Sequence, residues 1–150
     1  MEDIKDIAKW FLNHKDMTHK KLQKLCYYAQ AWYCALYDGT PLFENEIQAW
    51  VHGPVIPELY LMYSNYKWNK IPKVEFDESC LGEKTIDILE AVYNTYGDLS
   101  GNQLESLTHS EKPWIEARGN LKPWETSTTP ISCNTMRDYY IKKYEQAQND

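Results

Sequence analysis

The sequence predicts a mainly α-helical fold: a compact helical domain around a central buried helix, with a short β-hairpin or extended segment near residues 46–56. Three observations predict this class. Apolar residues recur at helical spacing through most of the chain. The segment 18–39 becomes apolar nearly all round in its second half, which is typical of a helix that other elements cover. Residues 46–56 instead combine alternating, β-branched and aromatic residues, which favours extended structure.

The first two helices follow from periodicity and capping residues. A short amphipathic helix is predicted over 3–13, and Thr18 is a favourable N-cap for the central helix, which ends near Gly39. The lysine-rich start of the central helix, HKKLQK at 19–24, is interpreted as a solvated face rather than a nucleic-acid contact. The apolar face of the central helix is formed by Leu22, Leu25, Ala29, Trp32, Tyr33 and Leu36.

The middle of the chain changes periodicity. Gly53 and Pro54 predict a tight turn between two extended pieces. Pro57 suits the first turn of a helix that runs to about Tyr63, because its missing N–H has no intrahelical partner there. Residues 64–83 are predicted to form a loop.

Three further helices are predicted before and after a short corner. One spans residues 84–96 and is closed by Gly97, and the next spans 101–108, where Ser100 and Gln103 form a capping box. The last helix is predicted from about Cys133 to Gln146.

The segment THSEKPWIEARG, residues 108–119, predicts a helix–corner–helix. Pro113 disfavours helical geometry at Lys112, so the chain is expected to bend between His109 and Lys112, and Pro113 then fits the first turn of a short helix that Gly119 ends. Trp114, directly after the proline, is expected to anchor the corner in the core.

Helix dipoles explain the titratable residues of this corner. His109 lies near the negative end of one helix, Glu111 near the positive start of the next, and Arg118 near the negative end of that second helix. These positions favour a structural role over a catalytic one.

Length and composition favour one domain that spans residues 1–150. The chain has 43% hydrophobic and 25% charged residues, as in folded proteins of this size. Its formal net charge of −6 disfavours nucleic-acid phosphates and anionic lipid as partners. No segment approaches the roughly 20 apolar residues that span a bilayer, and the N-terminus lacks the features of a secretory signal. We therefore expect a cytoplasmic protein with no membrane or nucleic-acid partner.

The cysteine pattern predicts reduced thiols. None of the four cysteines forms a C-x-x-C pair. Cys26 and Cys34 lie on the same predicted helix, about 12 Å apart along its axis, which is beyond disulfide reach. Reduced thiols are typical of cytosolic proteins. The other two cysteines are Cys80 and Cys133.

Strong enzyme signatures are absent from the sequence. It contains no G-x-S-x-G elbow, glycine-rich phosphate loop or H-E-x-x-H motif. His52, His109 and Glu111 could form a metal or acid–base site if the fold brings them together. Ser110 and Cys26 lack a base and an orienting partner that the sequence would reveal. We therefore predict no enzymatic activity, no cofactor and no metal.

Aromatic residues are abundant and indicate a protein interface. Tyrosine, tryptophan and phenylalanine make up 14% of the chain, and Tyr and Trp commonly anchor interfaces. Tyr63, Tyr66 and Trp68, beside Tyr60 and a polar loop, are the candidate partner-binding residues.

Three segments resemble the signatures of the Panacea domain, the SocA-like antitoxin family that includes phage-associated GepA-type proteins. In the order of the family they are KLQKLCYYAQAWYCALYDGTPLF (21–43), EIQAWVHGPVIPELY (46–60) and LTHSEKPWIEARG (107–119). The resemblance implies a prophage or phage antitoxin that neutralises a toxin encoded beside it by direct protein–protein contact. Because SocA delivers its toxin to an AAA+ protease, the resemblance also implies a possible second mode, a proteolytic adaptor. The alternative function is a small hydrolase or metalloenzyme that uses His52, His109 and Glu111.

The residues that match the family motifs are interpreted as turn and corner determinants, not as toxin contacts. A domain that serves many toxins should vary where it touches them, so the toxin-binding residues are expected outside the signatures. The matching residues are Trp50, His52, Gly53, Pro54, Tyr60, His109, Glu111, Pro113, Trp114 and Arg118.

Overall fold

The predicted fold class is confirmed by the computed structural model, which describes residues 1–149. Within those residues, helices cover most of the chain and the two strands form one antiparallel hairpin. The elements are α1 (Ile4–His14), α2 (His19–Leu36), β1 (Gln48–Trp50), β2 (Gly53–Val55), α3 (Pro57–Tyr63), α4 (Glu83–Tyr96), α5 (Gly101–His109), α6 (Lys112–Arg118) and α7 (Cys133–Asn149). Two 3₁₀ turns, Ser64–Tyr66 and Glu78–Cys80, interrupt the predicted loop.

Helix α2 is the centre of the fold, as predicted. Thr18 caps it, since the Thr18 hydroxyl accepts a hydrogen bond from the Lys21 N–H at 3.3 Å. Helices α1, α3, α4, α5 and α7 and strand β2 all pack against α2. Every residue from Leu22 to Ala31 is buried, so this part of the helix has no solvated face. None of the helices within residues 1–149 is long and apolar enough to cross a membrane.

The capping predictions for the later helices are also confirmed. Ser100 and Gln103 form a capping box at the start of α5. Pro57 and Pro113 each lie in the first turn of their helices, α3 and α6. Helix α7 continues three residues beyond the predicted end, Gln146.

Two buried glutamines attach the middle of the chain to α2. The Gln23 amide donates to the Ile56 carbonyl at 3.0 Å and accepts from the Ile56 N–H at 2.8 Å. About two helical turns later on α2, the Gln30 amide donates to the Phe43 carbonyl at 2.8 Å and accepts from the Leu42 N–H at 2.7 Å. Both side chains bond only backbone atoms, so they satisfy polar groups that burial would otherwise leave unpaired.

The expectation of four reduced thiols is wrong for one pair. Cys34 on α2 and Cys133 at the start of α7 form a disulfide, with their Cα atoms 6.0 Å apart and a sequence separation of 99. Spacing along one helix correctly excludes a Cys26–Cys34 bond, but it carries no information about a residue that tertiary packing brings close. Cys26 and Cys80 are free thiols.

Candidate functional site

A groove of about 1070 Å³ opens beside the first turns of α2. Its walls come from α2, the hairpin and its turn, α3 with the loop that follows, the start of α5, and a segment before α7. We call it the Lys24 groove, and its lining residues lie within 18–24, 50–55, 60–68, 100–102 and 126–128. Its volume is slightly above the roughly 300–1,000 Å³ that is typical of small-ligand pockets.

Lys24 lies at the floor of this groove. Its side chain is 2% exposed, and its Nζ donates a hydrogen bond to the Pro54 carbonyl at 3.2 Å. Burial lowers the pKa of Lys24 to about 7, although the negative charge of Glu105 opposes the shift. The interpretation of residues 19–24 as a solvated face is therefore wrong at Lys24, because the hairpin and α5 cover that side of α2.

Gly53 allows the hairpin to approach Lys24 closely. Its φ is +109°, a conformation that side-chain-bearing residues rarely adopt. A Cβ at this position would lie 2.7 Å from the Lys24 Cε and 3.1 Å from the Thr108 hydroxyl. The three segments that carry the family resemblance therefore meet at one point, since Lys24, Gly53 and Thr108 belong to one segment each.

An ion-pair cluster holds the rim of the groove. Glu105 on α5 accepts from the Lys20 Nζ at 2.6 Å and contacts the His52 Nδ1 at 3.2 Å. Burial raises the pKa of Glu105, but the hydrogen bonds and charges of Lys20 and His52 outweigh it and lower that pKa below its ordinary value. The cluster ties α2 and the hairpin turn to α5.

Aromatic rings form one wall of the groove. The Tyr60 ring contacts the Trp50 ring edge-on, with centroids 5.1 Å apart, and the His19 ring, with centroids 5.9 Å apart. Burial, followed by the charges of nearby lysines, lowers the pKa of His19. Trp68 also lines the groove but is 86% exposed, so most of its ring has no protein contact.

The three candidate partner-binding residues differ in exposure. Trp68 is fully available to a partner, whereas Tyr63 and Tyr66 are half-buried and pack against the core. Their role as toxin contacts stays a prediction.

The corner at 108–119 contacts strand β1 of the hairpin and holds it in place. The His109 ring stacks on Trp114, with centroids 3.9 Å apart and an interplanar angle of 12°. The Trp114 Nε1 donates to the Trp50 carbonyl at 2.8 Å, and the Arg118 guanidinium donates to the Ala49 carbonyl at 3.2 Å. Strand β1 is thus held on one side by the corner, while Trp50 faces the Lys24 groove.

Glu111 and Arg118 require a correction to the helix-dipole explanation. The buried Arg118 guanidinium donates to backbone carbonyls of β1 and of the segment after α6. Glu111 is the N-cap residue of α6, but its side chain forms no capping hydrogen bond. The Glu111 carboxylate is instead in the core, where long-range partners surround it. Helix dipoles act on neighbours in sequence, so they do not predict these long-range partners.

The partners of Glu111 are two tyrosines and one lysine. One carboxylate oxygen accepts from the Tyr28 hydroxyl at 2.7 Å and the Tyr140 hydroxyl at 2.9 Å, and the other accepts from the Lys143 Nζ at 2.9 Å. Glu111, Tyr28 and Tyr140 are all buried. Burial, followed by the negative charge of Glu111, raises the pKa of Tyr28. This cluster joins α2, α6 and α7 through one carboxylate.

The residues proposed for an enzyme do not share a set of contacts. His52 contacts Glu105, His109 stacks on Trp114, and Glu111 bonds Tyr28, Tyr140 and Lys143. In the described part of the chain, no group of three or more His, Cys, Asp or Glu residues could hold a metal ion. Burial also raises the pKa of the Cys26 thiol, which opposes a nucleophilic role.

Several residues of the groove and of the two clusters are not predicted by patterns in the sequence. The lysine-rich pattern at 19–24 wrongly predicts a solvated Lys24, and no pattern indicates Glu105, Tyr28 or Tyr140. No local signal predicts the burial of Lys24, because the face of the helix that carries Lys20 and Lys24 is polar at its start. No local signal identifies Glu105 or Tyr140 as partners.

We expect Trp114→Phe to lower the free energy of unfolding by about 1 kcal/mol. Phenylalanine keeps an aromatic ring against His109 but loses the hydrogen bond from the Trp114 Nε1 to the Trp50 carbonyl. Chemical denaturation measures the change, and Trp124→Phe is the matched control because Trp124 is 71% exposed. Equal stability of both variants and the parent would contradict a bracing role for Trp114.

The sequence matches the model of one known protein family. The family model described as antitoxin SocA-like, Panacea domain, matches residues 22–115, more than half of the chain. The matched range runs from α2 into α6 and includes Lys24, Gly53, Glu105 and Glu111. No curated protein and no solved structure matches the sequence significantly.

Proposed function

Because the chain belongs to the antitoxin SocA-like, Panacea-domain family, we propose that it is the antitoxin of a toxin–antitoxin pair and neutralises a protein toxin by direct binding. The family match over residues 22–115 is the observation that carries this proposal. The Lys24 groove supports a binding role, since it combines a concave surface with an exposed tryptophan.

The toxin is the product of the adjacent gene, and the pair acts in the cytoplasm. An interface of standard size buries about 1,200–2,000 Å² in total, which is larger than the groove alone provides. We therefore expect the interface to extend beyond the groove onto exposed side chains such as Leu61, which follows the lining residue Tyr60 in the chain.

Neutralisation is expected to be stoichiometric. In a cell-free assay of toxin activity, we expect inhibition to rise in proportion to added antitoxin and to be complete near equimolar amounts. The physical reason is that a binding antitoxin is consumed by each toxin molecule that it covers. Size-exclusion chromatography of the same mixtures should show one complex that contains both chains.

Two outcomes would contradict direct neutralisation. Complete protection at a small fraction of an equivalent, with chemically altered toxin and no complex, would show catalytic turnover. Protection that requires an added AAA+ protease and ATP would show that the protein is an adaptor. Parallel reactions without the protease distinguish the adaptor from the direct inhibitor.

A further inference from the structure

The charge of the Lys24 groove is opposite to that of the whole chain. Basic side chains line it, and none of its lining residues is an Asp or a Glu, although the chain carries a formal net charge of −6. The basic lining residues are His19, Lys20, Lys24, His52 and Lys67. Glu105, behind the lining, contacts Lys20 and His52 directly. Within residues 1–149, Lys24 and Lys67 form no ion pair.

Two buried polar groups at the groove have unused hydrogen-bonding capacity. The Lys24 ammonium has three donors, and within residues 1–149 its one acceptor is the Pro54 carbonyl. The buried His19 Nδ1 has no hydrogen-bond partner in the same part of the chain. Since buried polar groups are nearly always paired in folded proteins, these groups favour a polar ligand in the groove.

The start of α5 adds a further preference for negative charge. Ser100, Gly101 and Asn102 line the groove at the N-terminus of this nine-residue helix. Helix N-termini carry a partial positive charge, which stabilises carboxylates and other anions.

The remaining lining is apolar and aromatic. Trp50, Val55 and Tyr60 form a fixed wall, and the exposed Trp68 ring lies at the edge of the groove. Such a surface fits a large apolar side chain, and exposed tryptophans are frequent anchors of protein interfaces.

We propose that the Lys24 groove binds a short acidic segment of the toxin, in which a carboxylate lies next to an aromatic or large aliphatic side chain. The carboxylate enters beside Lys24, Lys67 and the start of α5, and the apolar side chain packs against Trp68 and Tyr60. This inference rests on the proposed function and names the part of the toxin that the antitoxin recognises.

A peptide fits these observations better than a nucleic acid. Of the three lysines that line the groove, Lys24 and Lys67 form no ion pair within residues 1–149, which matches one or two carboxylates rather than a row of phosphates. A long polyanion would also extend beyond the groove onto a surface whose overall charge is negative.

The test measures the affinity of the purified antitoxin for the adjacent-gene toxin with groove variants and matched controls. We expect Lys67→Glu and Trp68→Ala each to weaken binding by about tenfold or more, because they remove charge complementarity and an aromatic anchor. The controls are Lys142→Glu on α7 and Trp124→Ala, which change exposed residues outside the lining and should change the affinity less than about twofold. Thermal melts of all four variants should match the parent, since every altered side chain is exposed.

Overlapping synthetic peptides that span the toxin sequence identify the segment. We expect one peptide with an Asp or Glu beside a large apolar residue to bind the parent, to compete with the whole toxin, and to lose binding when its carboxylate becomes an amide. Lys67→Glu should abolish binding of this peptide.

The possible outcomes distinguish failure of the groove proposal from failure of the proposed antitoxin function. If the toxin binds the parent, Lys67→Glu and Trp68→Ala equally, the groove proposal is overturned while direct neutralisation stands. If the toxin forms no complex with the parent, both proposals fail. If a single-stranded oligonucleotide saturably quenches the tryptophan fluorescence of the parent but not of Lys67→Glu, the groove is a nucleic-acid site and the peptide proposal is overturned.

Discussion

Glu111→Ala is expected to lower the free energy of unfolding by about 3–5 kcal/mol, because it leaves buried hydrogen-bonding groups unpaired. The Tyr28 and Tyr140 hydroxyls both donate to the Glu111 carboxylate in the core, and neither side chain can turn to solvent. Lys143 is 43% exposed at its side chain, so its ammonium can return to water and contributes less to the loss. Urea denaturation monitored by circular dichroism measures the change.

Substitution of the tyrosine partners tests whether the lost hydrogen bonds cause the expected destabilisation by Glu111→Ala. Glu111→Gln keeps an acceptor oxygen for the tyrosines and should cost only about 1–2 kcal/mol. In the Tyr28→Phe/Tyr140→Phe background, Glu111→Ala should cost much less than in the parent, because the donors that it would strand are gone. A cost that is equal in both backgrounds would show that the hydrogen bonds are not its source.

Lys24→Met should make the stability of the protein depend differently on pH. In the unfolded chain Lys24 keeps its proton up to about pH 10.5, whereas burial in the folded chain lowers the pKa to about 7. Between these values the unfolded state binds more protons, so the parent becomes more stable as the pH rises. The methionine side chain does not titrate. The free energy of unfolding of the variant therefore exceeds that of the parent most below pH 7, and this difference shrinks as the pH rises above 7.

The expected size of this effect follows from the two pKa values. Between about pH 6 and pH 9, the difference in the free energy of unfolding between Lys24→Met and the parent should shrink by about 3 kcal/mol. The lost hydrogen bond to the Pro54 carbonyl contributes about 1 kcal/mol at every pH and leaves the slope unchanged. Denaturation curves at several pH values measure the difference, with Lys142→Met as the exposed control. A difference that stays constant with pH would show that Lys24 keeps an ordinary pKa.

Features of the fold that depend on near neighbours in sequence could be predicted. Thr18, the Ser100–Gln103 capping box and the prolines of α3 and α6 each act within one turn of their helix. The Gly53 turn is equally local, since its backbone conformation excludes most other residues. These signals were enough to predict the class of the fold and the position of most elements.

Features that depend on distant segments could not be predicted from the same signals. Lys24 lies on a helix face that is polar at its start, and it is buried only because β2 and α5 pack over it. Cys34 and Cys133 are distant in sequence, as are Glu111 and its partner Tyr28. The corner residues were correctly associated with a bend, but the groove in front of the hairpin depends on how five parts of the chain meet.

The attachment of the hairpin and the preceding loop through Gln23 and Gln30 has a consequence for sequence change. Both amides bond the main chain at Leu42, Phe43 and Ile56, and main-chain carbonyls are identical whatever side chain they carry. Substitutions of exposed residues in these segments, proline aside where an N–H is used, leave the hydrogen bonds intact. Helix α2 can therefore hold loops of many different sequences at the same position. The residues that contact a partner can change during evolution, while the hydrogen bonds that position them are kept.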